Sequence, residues 1–283
     1  MSFANSLFTF IQYLLPQHGL SRMMGYITRC QQPYWKNKLI SWVIQYYRVN
    51  MDEAESKQLA DYQTFNHFFT RQLRPETRPI TSLINGIASP ADGVVSQVGY
   101  IQAGQLIQAK GKSFTVTQLL GGDSQLAAVF QQGVFATIYL SPKDYHRLHM
   151  PLSGQLKHMI HIPGQLFSVN AATTATVPHL FARNERVVCL FQTEIGEMAL
   201  ILVGAIFVSS IETVWHGVVT PPTRPDLQNW YYDQKIVLEK GMEMGRFNMG
   251  STIIILFKSN GINWTQNFAV NQSVKMGELI ARY

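Results

Sequence analysis

Apolar residues recur at helical spacing near the amino terminus, at Leu7, Ile11 and Leu14 and again at Leu39, Val43 and Tyr46, which predicts amphipathic helices. Aromatic side chains flank both stripes: Phe3, Phe8, Phe10, Tyr26, Tyr34, Trp35 and Trp42. The helical pattern closes with Thr64-Phe65-Asn66-His67-Phe68-Phe69, where Thr64 is placed to cap a helix. Arg74-Pro75 and Arg78-Pro79 then break the rhythm, and the pattern beyond them is mostly that of strands. Residues 93–99 and 105–109 read as strands around an Ala103-Gly104 turn, and 134–140 as a strand stopped by Ser141-Pro142. Residues 198–211 form the longest apolar stretch, but Gly204 and two serines interrupt it. It reads as a buried strand or strand pair, since a spanning helix needs about 18 uninterrupted apolar residues. No repeat or low-complexity tract is present. The fold class expected is α+β, with a helical part at residues 1–73 and a β-rich body at 74–283.

A chain of 283 residues, 46% of them hydrophobic, can bury a full core. The net charge of +6 is lopsided. Arg22, Arg29, Lys36, Lys38 and Arg48 face no Asp or Glu within residues 1–50, so this segment carries +5 of it. A basic segment rich in aromatics suits an anionic membrane surface better than nucleic acid. Helices that pack their apolar faces on the rest of the protein fit the same pattern equally well. No positive charge precedes the first apolar stretch and no small-residue cleavage site follows Pro16, which argues against a signal peptide. Cys30 and Cys189 lie far apart without CxxC spacing, which suggests reduced thiols and a cytosolic setting.

Three short segments could carry chemistry. In Gly250-Ser251-Thr252, just before the apolar run 253–257, attack of the serine hydroxyl on the Gly250 carbonyl would convert the peptide into an ester. Elimination from that ester would leave a new amino terminus bearing a ketone. The same three residues are also ordinary turn chemistry at a strand entry. In 140–151, His146 and His149 stand where a strand gives way to a turn, with Asp144 beside them. On spacing alone local structure ranks first, acid/base chemistry second and metal binding third, because no cysteine or HExxH pattern lies nearby. His158 and His161 fall on an expected strand, while His18, His67, His179 and His216 stand alone and read as structural. In 88–93, Asp92-Gly93 is an ordinary turn, though a carboxylate at a strand mouth can also orient a histidine. Asp92, a histidine and Ser251 are the parts of a serine-hydrolase triad, and sequence does not show that they meet.

The chain resembles bacterial phosphatidylserine decarboxylase proenzymes over nearly its whole length. The residues that carry the resemblance are Thr64-Phe65-Asn66 with Phe68-Phe69, Pro90-Ala91-Asp92-Gly93, Gln108-Ala109-Lys110-Gly111, and Ser141-Pro142 with Asp144-Tyr145-His146-Arg147 and His149. It continues through Pro163-Gly164, Leu166-Phe167-Ser168-Val169-Asn170, residues 180–187, and Glu243-Met244-Gly245-Arg246-Phe247 before Gly250-Ser251-Thr252. Met249 stands where the family usually has leucine, an exchange of similar apolar side chains.

The resemblance implies a hybrid-barrel-like, largely antiparallel catalytic body and a self-cleaving triad of Asp92, His149 and Ser251. His149 would take the Ser251 proton and Asp92 would hold the imidazole tautomer. Cleavage between Gly250 and Ser251 would leave a large chain, 1–250, and a small chain, 251–283, with Ser251 converted to a covalent pyruvoyl group. That cofactor would form a Schiff base with phosphatidylserine and yield phosphatidylethanolamine and carbon dioxide, a step of phospholipid biosynthesis that requires no metal. His146 is implied in a supporting acid/base role. The partners implied are phosphatidylserine, an anionic membrane surface and the two chains of one precursor, with a homodimer left open and nucleic acid absent. The location implied is the cytoplasmic face of the bacterial inner membrane, held peripherally. Three alternatives remain at this point: a pyruvoyl decarboxylase of soluble amino acids, a phosphocarrier-like module, and a histidine-based metallohydrolase.

Overall fold

A computed structural model describes residues 3–109, 111–206, 210–232, 234–258 and 261–283. Lys110, one of the residues singled out in the sequence, therefore lies outside the described residues. The amino-terminal part is helical, with α1 at Phe3–Leu14, α2 at Gln17–Thr28, α3 at Pro33–Tyr47 and α4 at Phe65–Phe69. Thr64 caps α4 as the sequence suggested, its hydroxyl accepting the His67 N–H at 3.0 Å.

The first two helices are reversed relative to a soluble amphipathic helix. Their protein-facing residues are polar: Thr9, Gln12, Gln17 and Ser21 are buried, while Phe10, Ile11, Leu14, Met23 and Tyr26 are exposed. The buried amides are consumed on the body. Gln12 accepts the Ser168 N–H at 2.8 Å, and Gln17 accepts the Leu166 N–H at 2.6 Å. The α3 helix has the usual polarity, burying Ile40 and Val43 against Tyr62, Phe65, Phe68 and Phe69 of the segment that follows. Its outer face nonetheless displays Tyr34, Trp35, Trp42 and Tyr46.

Beyond residue 85 the chain builds antiparallel sheets. The largest has nine strands among the described residues. Its order is Gln228–Tyr231, Gly154–Ile162, Arg186–Thr193, Gly196–Val203, Thr252–Phe257, Val134–Tyr139, Gly93–Tyr100 and Ser273–Val274, with Val237–Leu238 also on Gly154–Ile162. Thr252–Phe257 is central and buried along its length. Ile253, Ile255 and Phe257 enter one core and Ile254 and Leu256 the other, which is why the sequence shows an unbroken apolar run rather than alternation. A second sheet, ordered Gly217–Thr220, Ile211–Thr213, Glu243–Phe247 and Arg147–His149, packs its apolar face onto the first core.

Within the apolar stretch 198–211, residues 198–203 belong to the buried strand Gly196–Val203 of the large sheet and Ile211 opens Ile211–Thr213 of the second sheet, while residues 207–209 lie outside the described residues. Strands also flank the Ala103-Gly104 turn, where both residues take positive φ. They enter different sheets: Gly93–Tyr100 pairs with Val134–Tyr139, and Gln105–Ala109 pairs with Lys112–Thr115.

Candidate active site

One rung of the large sheet sets the site. Val203 pairs with Thr252, Thr252 with Tyr139, and Tyr139 with Val94, so Ser251, Leu140 and Gly93 lie one residue beyond the rung at the same end. The Leu140 N–H donates to the Ser251 carbonyl at 2.8 Å and extends the ladder to the serine. Gly93 is required here by close approach, since a β-carbon at this position would lie 2.3 Å from the Tyr139 carbonyl oxygen. That contact brings Asp92 to the strand mouth.

The loop after Leu140 carries His146 against Phe69 of α4 and returns as the strand Arg147–His149, which ends on the second histidine. Asp144 braces it by accepting the Ser141 N–H and hydroxyl, each at 2.7 Å. The Asp144 carbonyl lies 2.8 Å from His146 Nδ1, which requires a proton on Nδ1 and leaves Nε2 as a lone pair. Nε2 is buried and has no partner among the described residues, and the Phe69 ring covers the imidazole at 4.1 Å between centroids. Burial, with Arg71 adding in the same direction, pushes His146 down to about 3. The same logic applies to His149. Its Nδ1 meets the Gly241 carbonyl at 2.8 Å, its Nε2 receives the Tyr145 hydroxyl at 3.2 Å, and burial lowers its pKa. Burial holds Tyr145 up to about 12, so it remains a neutral donor.

Ser251 is fully buried and its hydroxyl has no partner among the described residues. Gly250 precedes it in a tight space. A β-carbon there would stand 3.2 Å from the Leu140 carbonyl and 3.4 Å from His146 Nε2. Asn248 fixes the approach to this bond by accepting from Asn66 of α4 at 2.9 Å and donating to Glu212 at 2.6 Å. Met249 packs against the α3–α4 cluster. The helical part therefore touches the two residues, Asn248 and Met249, that lead into Gly250.

The structure gathers Asp92, His146 and Ser251 at this end of the sheet, with His149 tied to the Asp92 turn through its backbone N–H to Pro90 O at 2.9 Å. The ring contacts differ from those of a simple triad. The partners of the Asp92 carboxylate are Arg78 and the Met276 N–H, and the group opposite His149 Nδ1 is a backbone carbonyl. Sequence reasoning missed Arg78, Tyr145 and the Gly241 carbonyl as parts of the site. In the sequence Arg78-Pro79 reads only as punctuation, and a backbone acceptor leaves no side-chain signal.

The family model for phosphatidylserine decarboxylase matches residues 65–282, a span that includes this whole constellation. The chain belongs to the phosphatidylserine decarboxylase family. A second family model, described as PSD, matches residues 7–48. The phosphatidylserine decarboxylase proenzyme of Ectopseudomonas mendocina is 53% identical over 278 residues, covering 97% of each chain. That of Methylococcus capsulatus is 53% identical over 272 residues, 96% of this chain and 94% of its own. That of Pseudomonas paraeruginosa is 51% identical over 285 residues, 99% and 98% respectively. Family membership marks the chain as a decarboxylase proenzyme.

The other histidines have separate surroundings. His161 is buried against Glu185 at 3.1 Å, and His158 stacks on Tyr231. His18 contacts the Gly164 carbonyl at 2.9 Å, and His216 packs on Trp230. Among the described residues no group of three or more His, Cys, Asp or Glu could hold a metal ion.

Proposed function

We propose that this chain is made as a precursor, cuts its own backbone between Gly250 and Ser251, and then decarboxylates phosphatidylserine to phosphatidylethanolamine and carbon dioxide. The observation that carries this reading is the buried Ser251 hydroxyl at the mouth of the central strand, which has no partner among the described residues and follows a glycine facing the likewise unpartnered Nε2 of His146.

His149 takes the Ser251 proton on Nε2 as the Tyr145 hydroxyl, held at 3.2 Å, gives way. The Ser251 oxygen adds to the Gly250 carbonyl, the C–N bond breaks, and the proton passes to the departing amine, which leaves an ester. Loss of the Ser251 α-proton and cleavage of its Cβ–Oγ bond release Gly250 as a carboxylate. The remaining enamine becomes an imine, and water replaces its nitrogen as ammonia to give the ketone.

The residues present fit that product: a buried hydroxyl without a competing bond, a glycine that leaves the carbonyl approachable, and two imidazoles whose basic nitrogens are unprotonated. The pyruvoyl group supplies a carbonyl that captures the substrate amine and accepts the electron pair released with carbon dioxide. His146, buried and neutral beside the cut, serves as supporting acid or base.

The helical part, residues 1–73, docks the enzyme on the cytoplasmic face of the inner membrane, and residues 74–283 carry out the chemistry. Support comes from the outward apolar faces of α1 and α2 and from a groove of about 1120 Å³ lined by α2, the segment after it and α3, including Tyr26, Trp35 and Trp42. Lys36 spends its charge inside, donating to the Leu59 and Tyr62 carbonyls, so Arg22, Arg29, Lys38 and Arg48 are the exposed cations of residues 1–50. They contribute about 1 kcal/mol each at an anionic surface.

The test uses phosphatidylserine labelled at its carboxyl carbon in mixed vesicles. The parent should release labelled carbon dioxide and Ser251→Ala none; retention of label by the parent, or equal release by both, contradicts the reading.

A further inference from the structure

Asp92 shares its guanidinium with a second carboxylate. Arg78 donates from Nε to Asp92 Oδ1 at 2.8 Å, from Nη2 to Asp92 Oδ2 at 2.5 Å, and from Nη2 to Glu53 at 2.7 Å. Its Nη1 meets the Thr77 carbonyl at 2.8 Å. Lys275 binds the other Glu53 oxygen at 3.0 Å, and the Met276 N–H reaches Asp92 Oδ1 at 2.8 Å. The Arg78 and Asp92 side chains are only 5% and 8% exposed, so this pair operates largely out of water. The network joins the helical part through Glu53, the linker through Arg78, the strand mouth through Asp92 and the segment beyond the cleavage point through Lys275 and Met276.

We propose that Arg78 is a positioning residue for self-cleavage, fixing the orientation of the Asp92 carboxylate at the strand mouth. This rests on the reading that Asp92 serves processing. A buried carboxylate needs a partner for each oxygen, and the guanidinium fork, reaching both Oδ1 and Oδ2, fixes the plane of the Asp92 group. The Asp92 charge acts on His149, whose imidazole becomes cationic as it receives the Ser251 proton; Asp92 lies within electrostatic range and favours the charged ring. Besides His149, the groups that feel the Asp92 charge are Arg71, Asp144 and Tyr145, while Glu53 and Lys275 meet across the far side of Arg78. Of these and Arg78, only Arg78 hydrogen-bonds the carboxylate.

The experiment follows cleavage of freshly synthesised full-length precursor by denaturing electrophoresis from about pH 5 to 9. The chains compared are the parent, Arg78→Gln, Arg78→Lys, Glu53→Gln, Asp92→Asn and Ser251→Ala. Arg78→Gln should cleave roughly 100-fold more slowly, with the acid limb of its pH profile moved down, because a displaced Asp92 no longer favours the cationic His149 ring. Arg78→Lys should restore the acid limb and remain about tenfold slower, because an ammonium supplies charge without the fork. Glu53→Gln, which leaves the Arg78–Asp92 fork in place, should lower the melting temperature and slow cleavage far less than Arg78→Gln, without moving the acid limb.

A parent-like rate and profile in Arg78→Gln overturns the proposal. So does equal slowing by Arg78→Gln and Glu53→Gln with an unchanged profile, which marks a purely structural network. Should Arg78→Gln not fold, Arg78→Lys decides: slowed cleavage supports the proposal and a parent rate overturns it. An Asp92→Asn chain that cuts like the parent removes the underlying reading. Asp92→Asn uncut beside a normally cutting Arg78→Gln removes the Arg78 proposal alone.

Discussion

The α-carbon of Gly250 faces Nε2 of His146 so closely that a methyl group on it would lie 3.4 Å from that nitrogen. The same methyl would lie 3.2 Å from the Leu140 carbonyl, a backbone atom that cannot swing away. Gly250→Ala should therefore fold but process about tenfold more slowly, and Gly250→Val should process more slowly still, because misplacement at a reacting bond is expensive. Cleavage time courses on denaturing gels measure this. Parent-like rates in both variants would show that the space around Gly250 does not govern the cut.

His146 also makes stability depend on pH. Its ordinary value is 6.5 and burial takes it down to about 3, so between those values the unfolded chain binds a proton that the folded chain refuses. Its contribution to stability is whole above about pH 6.5 and falls as pH drops through that window, by about 1.4 kcal/mol per unit. Denaturant midpoints at about pH 7 and pH 5 should differ more in Ser251→Ala than in Ser251→Ala/His146→Gln. Equal pH dependence in the two chains contradicts the assignment.

After cleavage the small chain should remain bound. Thr252–Phe257 is hydrogen-bonded on one side to Val134–Tyr139 and on the other to Gly196–Val203, and its side chains enter both cores. Leu279–Arg282 adds pairing with Gly86–Ala88. The two chains should co-elute in native size-exclusion chromatography and separate only in denaturant. Dissociation in native buffer would show that the sheet does not hold them.

Much of this architecture is legible in the sequence because local chemistry and tertiary context agree. The Thr64 cap, the strand ended by Ser141-Pro142 and the apolar run 253–257 each follow from a local rule that the fold respects. The inverted polarity of α1 and α2 is not legible, since periodicity reveals a stripe and not the side on which it rests. Thr9 and Gln12 are buried by partners more than 150 residues away, Thr176, Thr173 and Ser168. Ser251, His146 and Asp92 were legible as candidates through residue type and resemblance. The Arg78 clamp and the Gly241 carbonyl were not, because they arise from chain segments that meet only in three dimensions.

The exposed aromatic face should be a measurable membrane contact. Trp35 and Trp42 are 67% and 53% exposed, so replacing both with alanine removes little packing from the protein itself. Co-sedimentation with phosphatidylglycerol-containing vesicles should weaken by roughly tenfold or more, with the melting temperature nearly unchanged. Added salt should weaken parent binding further through the exposed cations. Unaltered binding in the double variant would place the membrane contact elsewhere.

Intact mass measurement of the purified parent beside Ser251→Ala tests self-cleavage most directly. The expected result is two chains for the parent, 1–250 and a fragment beginning at position 251 whose mass fits a ketone in place of the serine amine and hydroxyl, and one uncut chain for the variant. A parent that is a single uncut chain and nonetheless decarboxylates phosphatidylserine at full rate would contradict it.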